Sequence, residues 1–289
     1  MKIINFMGKK KIIYIVTVVL LLASFIAMFT KGFNLGPDFA GGTLLEIKLS
    51  EHIATDDIKA IFKESDIQET EANHYIIKGS ALSEEEYNNK MNQLKEKFGQ
   101  IEVVKNDTVS GVIGSELSQK AILALALASL GIIIYLTIRF ELFFGIGGIL
   151  SSLHDIIVLL GIFALFQIQI GMSFIAAILT IVGYSINDTI VIYDRIRENL
   201  KVPSYQKDSK ELIVNRSITQ TLGRSITTVV CVLIVLISLY FLGSSSTHEF
   251  TLAMIIGTII GMYSSIAVAS PLWLDLSRKF SGKKFLNNN

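Results

Sequence analysis

The chain has 289 residues, with 26 Lys and Arg against 25 Asp and Glu, a net charge of +1 and a mean hydropathy of +0.54. A composition this apolar and this near neutrality argues against a nucleic-acid binder and makes the bilayer the first solvent to consider. The single cysteine, Cys231, excludes an intrachain disulfide and leaves the redox compartment unencoded.

Six stretches are long and apolar enough to span: Ile12–Phe29, Ala121–Ile138, Leu142–Phe166, Met172–Tyr193, Ser225–Leu242 and Phe250–Trp273. The first follows Lys9–Lys11 and resembles a signal peptide in that respect. Its length, and the lack of a convincing small-residue cleavage site before Lys31, predict an uncleaved anchor instead. Of the three prolines only Pro271 lies in a span, near its end, so mostly unkinked helices are expected.

The neutral total conceals a split. Between Lys31 and Lys120 ten basic residues face sixteen acidic ones, a balance of −6. The other sixteen basic residues cluster at Lys2–Lys11, Arg139, Arg195–Arg224 and Arg278–Lys284, all on one side if six spans alternate. The connections Gln167–Gly171 and Gly243–Glu249 carry no Lys or Arg. The positive-inside rule then predicts both termini cytoplasmic and the acidic segment after the first span exported.

In that segment Gly36, Pro37, Gly41 and Gly42 mark tight turns, and Thr43–Leu49 alternates as a strand does. Thr55 is a candidate cap for a helix through Glu64, and Ile67–Ala72 and His74–Lys78 read as short strands. Ser83 and Glu86 have capping-box spacing before a helix running to about Phe98, and Ile101–Val109 is the last strand. The order β-α-β-β-α-β predicts a small α+β ferredoxin-like domain. His52 and His74 lack any metal-ligand spacing, Gly41–Gly42 is not a P-loop, and Lys95–Lys97 is a solvated helix face, so neither metal site nor enzyme is expected there.

The spans carry polar groups that a structural helix does not need. Asp188, with Asn187, lies about 9 Å from the end of the fourth span at Asp194, and His154–Asp155 lies some 20 Å into the third. An ionised carboxylate at the bilayer centre costs roughly 2.5–3.5 kcal/mol on insertion scales, so Asp188 is the leading functional candidate. Tyr184 and Thr180 fall one and two turns before it, forming a polar stripe. Arg224 opens the fifth span, followed by Thr227, Thr228 and Cys231. A helix starting before it would let the guanidinium reach inward towards Asp188, and the alternative is a place in the positive flank. His154–Asp155 reads equally as part of an ion path or as a structural knot. Asp194 to Glu198 read as anchoring charges, and Gly257 and Gly261 as a close helix contact, within the chain or with a partner.

Five stretches together resemble a known family. They are Gly36-Pro37-Asp38-Phe39-Ala40-Gly41-Gly42-Thr43, Arg139-Phe140-Glu141, His154-Asp155, Val182 to Asn199, and Gln220-Thr221-Leu222-Gly223-Arg224-Ser225. In order and spacing they are similar to the SecF branch of the SecD/SecF family, translocase subunits within the RND superfamily. The resemblance implies a polytopic α-helical membrane protein of six transmembrane helices with one extracytoplasmic loop domain, in a bacterial inner or plasma membrane. It implies SecD, the SecYEG channel and preprotein as partners, and no cofactor beyond a proton or sodium gradient. An Asp at the place of Asp188 and an Arg at that of Arg224 then belong to the ion pathway. The role of His154–Asp155 carries over less directly. The expected organisation is 1–30 for the N-terminus and first helix, 31–118 for the extracytoplasmic domain, 119–277 for the five-helix sector and 278–289 for a basic tail.

Six spans make one half of a paired transporter, so a second six-span partner is expected. An RND exporter of small molecules or lipids would need a second large exported loop, which is missing. An intramembrane aspartyl protease would need Asp155 and Asp188 close enough to share a proton. A passive assembly factor, its polar groups only joining helices, is the remaining alternative.

Overall fold

The computed structural model describes residues 3–63, 65–71, 73–109, 111–139, 142–243 and 247–280. Six helical spans are present among them, and the chain is a multi-pass membrane protein. They are α1 (Lys10–Lys31), α5 (Gly111–Arg139), α6 (Leu142–Phe166), α7 (Met172–Lys201), α8 (Lys210–Leu242) and a sixth built of α9 (His248–Ser264), a π-helical stretch (Ser265–Ala269) and α10 (Ser270–Phe280). Between α1 and α5 lie α2 (Pro37–Ala40), β1 (Gly42–Leu49), α3 (Thr55–Lys59), β2 (Asp66–Glu71), β3 (His74–Gly79), α4 (Glu84–Phe98) and β4 (Ile101–Val109).

The four strands form an antiparallel sheet in the order β2-β3-β1-β4, the arrangement of a split βαβ fold. Alternation along β1 and β3 sends Leu45, Ile47, Leu49, Tyr75 and Ile77 to one face, where α3, the turn after it and α4 add Ile58, Phe62, Met91 and Leu94. The capping box at α4 is formed, Ser83 Oγ accepting from the Glu86 amide at 3.3 Å while the Ser83 amide donates to Glu86 Oε2 at 2.9 Å. The first helix departs from expectation. Its cap is Ala54, with no side-chain bond, and it ends at Lys59. It delivers Ile58 to the core, and the turn that follows it delivers Phe62, whose amide bonds the Ile58 carbonyl at 3.0 Å. Glu64 and Ala72, the expected ends of that helix and of the second strand, lie outside the described residues.

In the membrane sector α6, α7 and the sixth span form the centre. The apolar stretch of the sixth is 67% buried against 12% for α5 and 17% for α1 and α8. Gly257 and Gly261 let α9 approach α7 closely, against Ile181 and Ser185, so this G-x-x-x-G pair serves packing within the chain. Gly161 on α6 does the same against Ser24 of α1. The sixth span is not the regular helix expected. Pro271 has no amide for the carbonyl four residues back and its ring crowds that carbonyl, and the turns before it widen into the π stretch. Ser270 Oγ donates to the Ser265 carbonyl at 3.1 Å, and Tyr193 Oη to that of Ala269 at 3.0 Å.

Candidate functional site

Two groups of polar residues lie on adjacent faces of α7. The first is a seam between α6, α7 and α9. Asp155, 1% exposed, accepts hydrogen bonds at Oδ2 from Ser185 Oγ (2.6 Å) and Ser264 Oγ (2.8 Å), and Oδ1 lies 3.1 Å from His154 Nδ1. Thr189 and Ser265 continue the seam, their hydroxyls 2.8 Å apart. Three helices are tied together by this carboxylate, which no sequence pattern had linked to a partner.

The second group faces outward between α7 and α8. Ser225 Oγ donates to Asp188 Oδ1 at 2.6 Å. Among the described residues Asp188 Oδ2 is buried with no hydrogen-bond partner, as is Tyr184 Oη one turn earlier. Asn187, Gly183, Gly223, Arg224, Thr227, Thr228 and Cys231 are exposed on the same face. α8 begins fourteen residues before Arg224, which fulfils the condition set for an inward-reaching guanidinium. The guanidinium nonetheless does not close on the carboxylate. Arg224 is within electrostatic range of Asp188 but makes no ion pair with it among the described residues, and Ser225 takes the expected place. One turn of α8 presents Ser225 towards α7, which leaves its neighbour Arg224 pointing past it. Thr180, one turn before Tyr184, is exposed as well, and its hydroxyl donates to the Ala176 carbonyl at 2.8 Å. Asp155 and Asp188 share no hydrogen-bond donor, which leaves the proton-sharing dyad of a protease without a geometric basis.

Beyond the spans the charged end of α7 anchors. Asp194 lies 3.7 Å from Arg139 and 3.8 Å from Arg197, and Arg195 pairs with Glu198 at 2.8 Å. Phe140 and Glu141 lie outside the described residues. Asn199, 4% exposed, donates to Ser217 Oγ (2.8 Å) and Gln220 Oε1 (2.9 Å), joining the ends of two of the sequence motifs.

The glycine-rich motif after α1 sits at the opposite end of α7. Gly41 and Gly42 have φ of 70° and 117°, and a side chain at Gly42 would strike the Gly79 carbonyl, so the turn into β1 needs glycine there. Gly36 donates to the Ile170 carbonyl at 2.9 Å, and the Ile170 amide to that of Asn34 at 2.8 Å. Asp38 Oδ2 accepts from the Met172 amide at 2.7 Å, at the first turn of α7. Ser173 bonds Glu249 at 3.4 Å beside it. On β4, burial works against the charge of Lys105, but its bond to Asp107 (3.0 Å) and the carboxylates of Asp107, Glu249 and Asp38 outweigh that and hold its pKa above the ordinary lysine value.

Sequence reasoning missed Ser225, Ser185 and Ser264 as partners. Ser185 was detectable, being three residues before Asp188 on the helix. Ser225 stood in the motif beside Arg224 and was passed over for its charged neighbour.

A six-span sector with one α+β domain inserted after its first helix, and polar groups on an unpaired outer face, defines half of a two-repeat membrane assembly. Residues 89–279 match the family described as protein export membrane protein SecD/SecF, C-terminal, and residues 26–51 match the SecD/SecF GG motif. The protein translocase subunit SecF of Sebaldella termitidis is 36% identical over 96% of this chain and 92% of its own length. The SecDF subunit of Bacillus subtilis is 36% identical over 93% of this chain, which covers 38% of that longer protein. A crystal structure of SecDF, a translocon-associated membrane protein from Thermus thermophilus, superposes with a TM-score of 0.86 at 33% identity over 96% of this chain and 39% of that one. A second SecDF structure, in a super-membrane-facing form, gives 0.73 at the same identity. The chain therefore belongs to the SecD/SecF family of protein-export membrane proteins.

Proposed function

We propose that this chain is a SecF-type accessory subunit of the Sec export machinery in which Asp188 carries the ion that couples a proton or sodium gradient to late steps of preprotein translocation. The observation behind the reading is the buried, unpaired Oδ2 of Asp188 on an outer face also bearing Tyr184, Asn187 and Arg224. In hydrocarbon such an oxygen needs a proton, a cation or a donor from elsewhere. A SecD-type six-span partner covers that face, as the single-chain SecDF relatives suggest. The assembly works beside the SecYEG channel in a bacterial inner or plasma membrane. Both termini are cytoplasmic, and the acidic α+β domain lies on the exported side, as the distribution of Lys and Arg favours.

Ionised, Asp188 is drawn to Arg224; protonated or cation-bound, it is not. Two arrangements of α7 and α8 follow, and the ion biases them. Asp155 and His154, bonded within the seam, serve to hold α6, α7 and α9 together in this reading. The test is preprotein export into membrane vesicles with the potential and the pH gradient collapsed separately, with and without sodium. Asp188→Asn should abolish the gradient-dependent component while the SecD complex still assembles. Undiminished gradient-dependent export in that variant refutes the reading and leaves a passive assembly role. Which gradient matters names the ion.

A further inference from the structure

Among the described elements, α2 is the one that packs substantially both on the sheet, against β1 and β4, and on a span, α5. Four residues thus join the sheet to a span. Their surroundings are tight: a side chain at Gly114 of α5 would stand 3.0 Å from the Phe39 carbonyl and 3.2 Å from the Gly41 amide. The one charged side chain in α2 makes its hydrogen bond to neither the sheet nor α5. Asp38 extends to the Met172 amide of α7, a helix that is not its neighbour in the chain.

We propose that Asp38 is a positioning residue that couples the α+β domain to the helix bearing Asp188, by capping the first turn of α7 from within α2. The proposal rests on the reading of Asp188 given above. Three features support it. The capping bond is short and charge-assisted, and a carboxylate there also meets the positive end of a 30-residue helix dipole. The same connection is doubled by the backbone pair between Leu35 and Ile170. Gly171 completes the seat, because a methyl group there would lie 3.0 Å from Asp38 Oδ2 and 3.2 Å from Glu249 Oε2. Any axial or tilting motion of α7 must move Asp38, and with it α2 and the edge of the sheet. The groups facing Asp38 (the Met172 amide, Glu249 and Lys105) are themselves on α7, α9 and β4, so the contact joins the domain to two spans.

The experiment uses the full chain in membranes with its SecD partner, Cys231 replaced by Ser, and spin labels at Asn89 on α4 and Ala176 on α7, both exposed. Distances between the labels and gradient-dependent export are read together. Asp38→Ala should broaden the distance distribution and raise the detached population about fivefold, the usual worth of a lost helix cap. Export should fall with it. Asp38→Asn, which keeps the accepting oxygen, should restore both. Gly171→Ala leaves Asp38 in place and displaces its carboxylate, so it should reproduce the broadening even if Asp38→Ala folds poorly. An unchanged distribution in both Asp38→Ala and Gly171→Ala overturns the proposal, as does an Asp38→Asn protein as defective as Asp38→Ala while still bound to SecD. Asp188→Asn should keep the narrow distribution. Normal export by that variant would remove the ion reading while leaving the tie intact.

Discussion

Ser225 holds one oxygen of Asp188 at 2.6 Å and leaves the other, buried, without a partner. The carboxylate is thus oriented by α8 yet available to an ion, an arrangement that a static tie between helices would not leave half made. Hydrogen bonds to charged groups contribute about 1.5–3 kcal/mol. Ser225→Ala should therefore lower gradient-dependent export about ten- to hundredfold without loss of the SecD complex. Export assays beside co-purification check this, and a Ser225→Ala protein with normal export would show that the carboxylate needs no orientation.

Asp155 presents the opposite case. Two serines and His154 surround it, at 1% exposure. Asp155→Asn keeps an accepting oxygen and should retain export within a few-fold. Asp155→Ala strands the hydroxyl of Ser185, while that of Ser264 keeps the Gly261 carbonyl, and should lower the midpoint of thermal unfolding in detergent by the equivalent of about 1–3 kcal/mol. A complete loss of gradient dependence in Asp155→Asn, with stability unchanged, would move this residue into the ion path.

Glycine contacts separate packing from the open face. Gly161→Ala drives a methyl into the Ser24 backbone and side chain and should destabilise α1 against α6 by about 1–3 kcal/mol. Gly183→Ala and Gly223→Ala meet nothing within 4 Å and should leave the isolated chain's unfolding midpoint unchanged or raise it slightly, alanine being worth about 0.5–1 kcal/mol over glycine inside a helix. If either proves harmful only when SecD is present, it marks where the partner comes closest.

The α+β domain carries a pH signature of its own. The backbone amide of Ser83, then its hydroxyl, bond the Glu86 carboxylate and hold its pKa below the ordinary value. A depressed carboxylate contributes stability that is complete above about pH 4.3 and fades as pH falls through the lowered value. Protection against amide exchange in the first turn of α4, taken relative to the intrinsic rate at each pH, should thus be unchanged from pH 8 to 5 and fall only in stronger acid. Ser83→Ala should lower that protection from pH 5 to 8.

Most of the architecture was legible because each signal acts locally. Twenty apolar residues fix a span, alternation fixes a strand face, and Ser83 with Glu86 fixes a helix start. The domain's strand order followed from element order alone. The misses were tertiary. Nothing in the residues around Arg224 says that Ser225, one step of 100° away, is the side chain turned towards α7. The widening before Pro271 depended on Tyr193 and Ser270 being placed to take up carbonyls, which only the packed helices determine. The joining of Asn199 to Gln220, and of Asp38 to Met172, likewise crosses between segments that the chain itself keeps apart.

The bonds from Asn199 to Ser217 and Gln220 fasten α7 to α8 near one end, and no proline interrupts α7 beyond them. A stiff rod pinned at Asn199 behaves as a lever. At 1.5 Å per residue Asp188 is about 16 Å from that fulcrum and Met172 about 40 Å. A tilt that carries Asp188 by 1 Å would carry the seat of Asp38 by roughly 2.5 Å. In the proposed coupling the carboxylate of Asp188 lies on the short arm, and the α+β domain hangs from the long one.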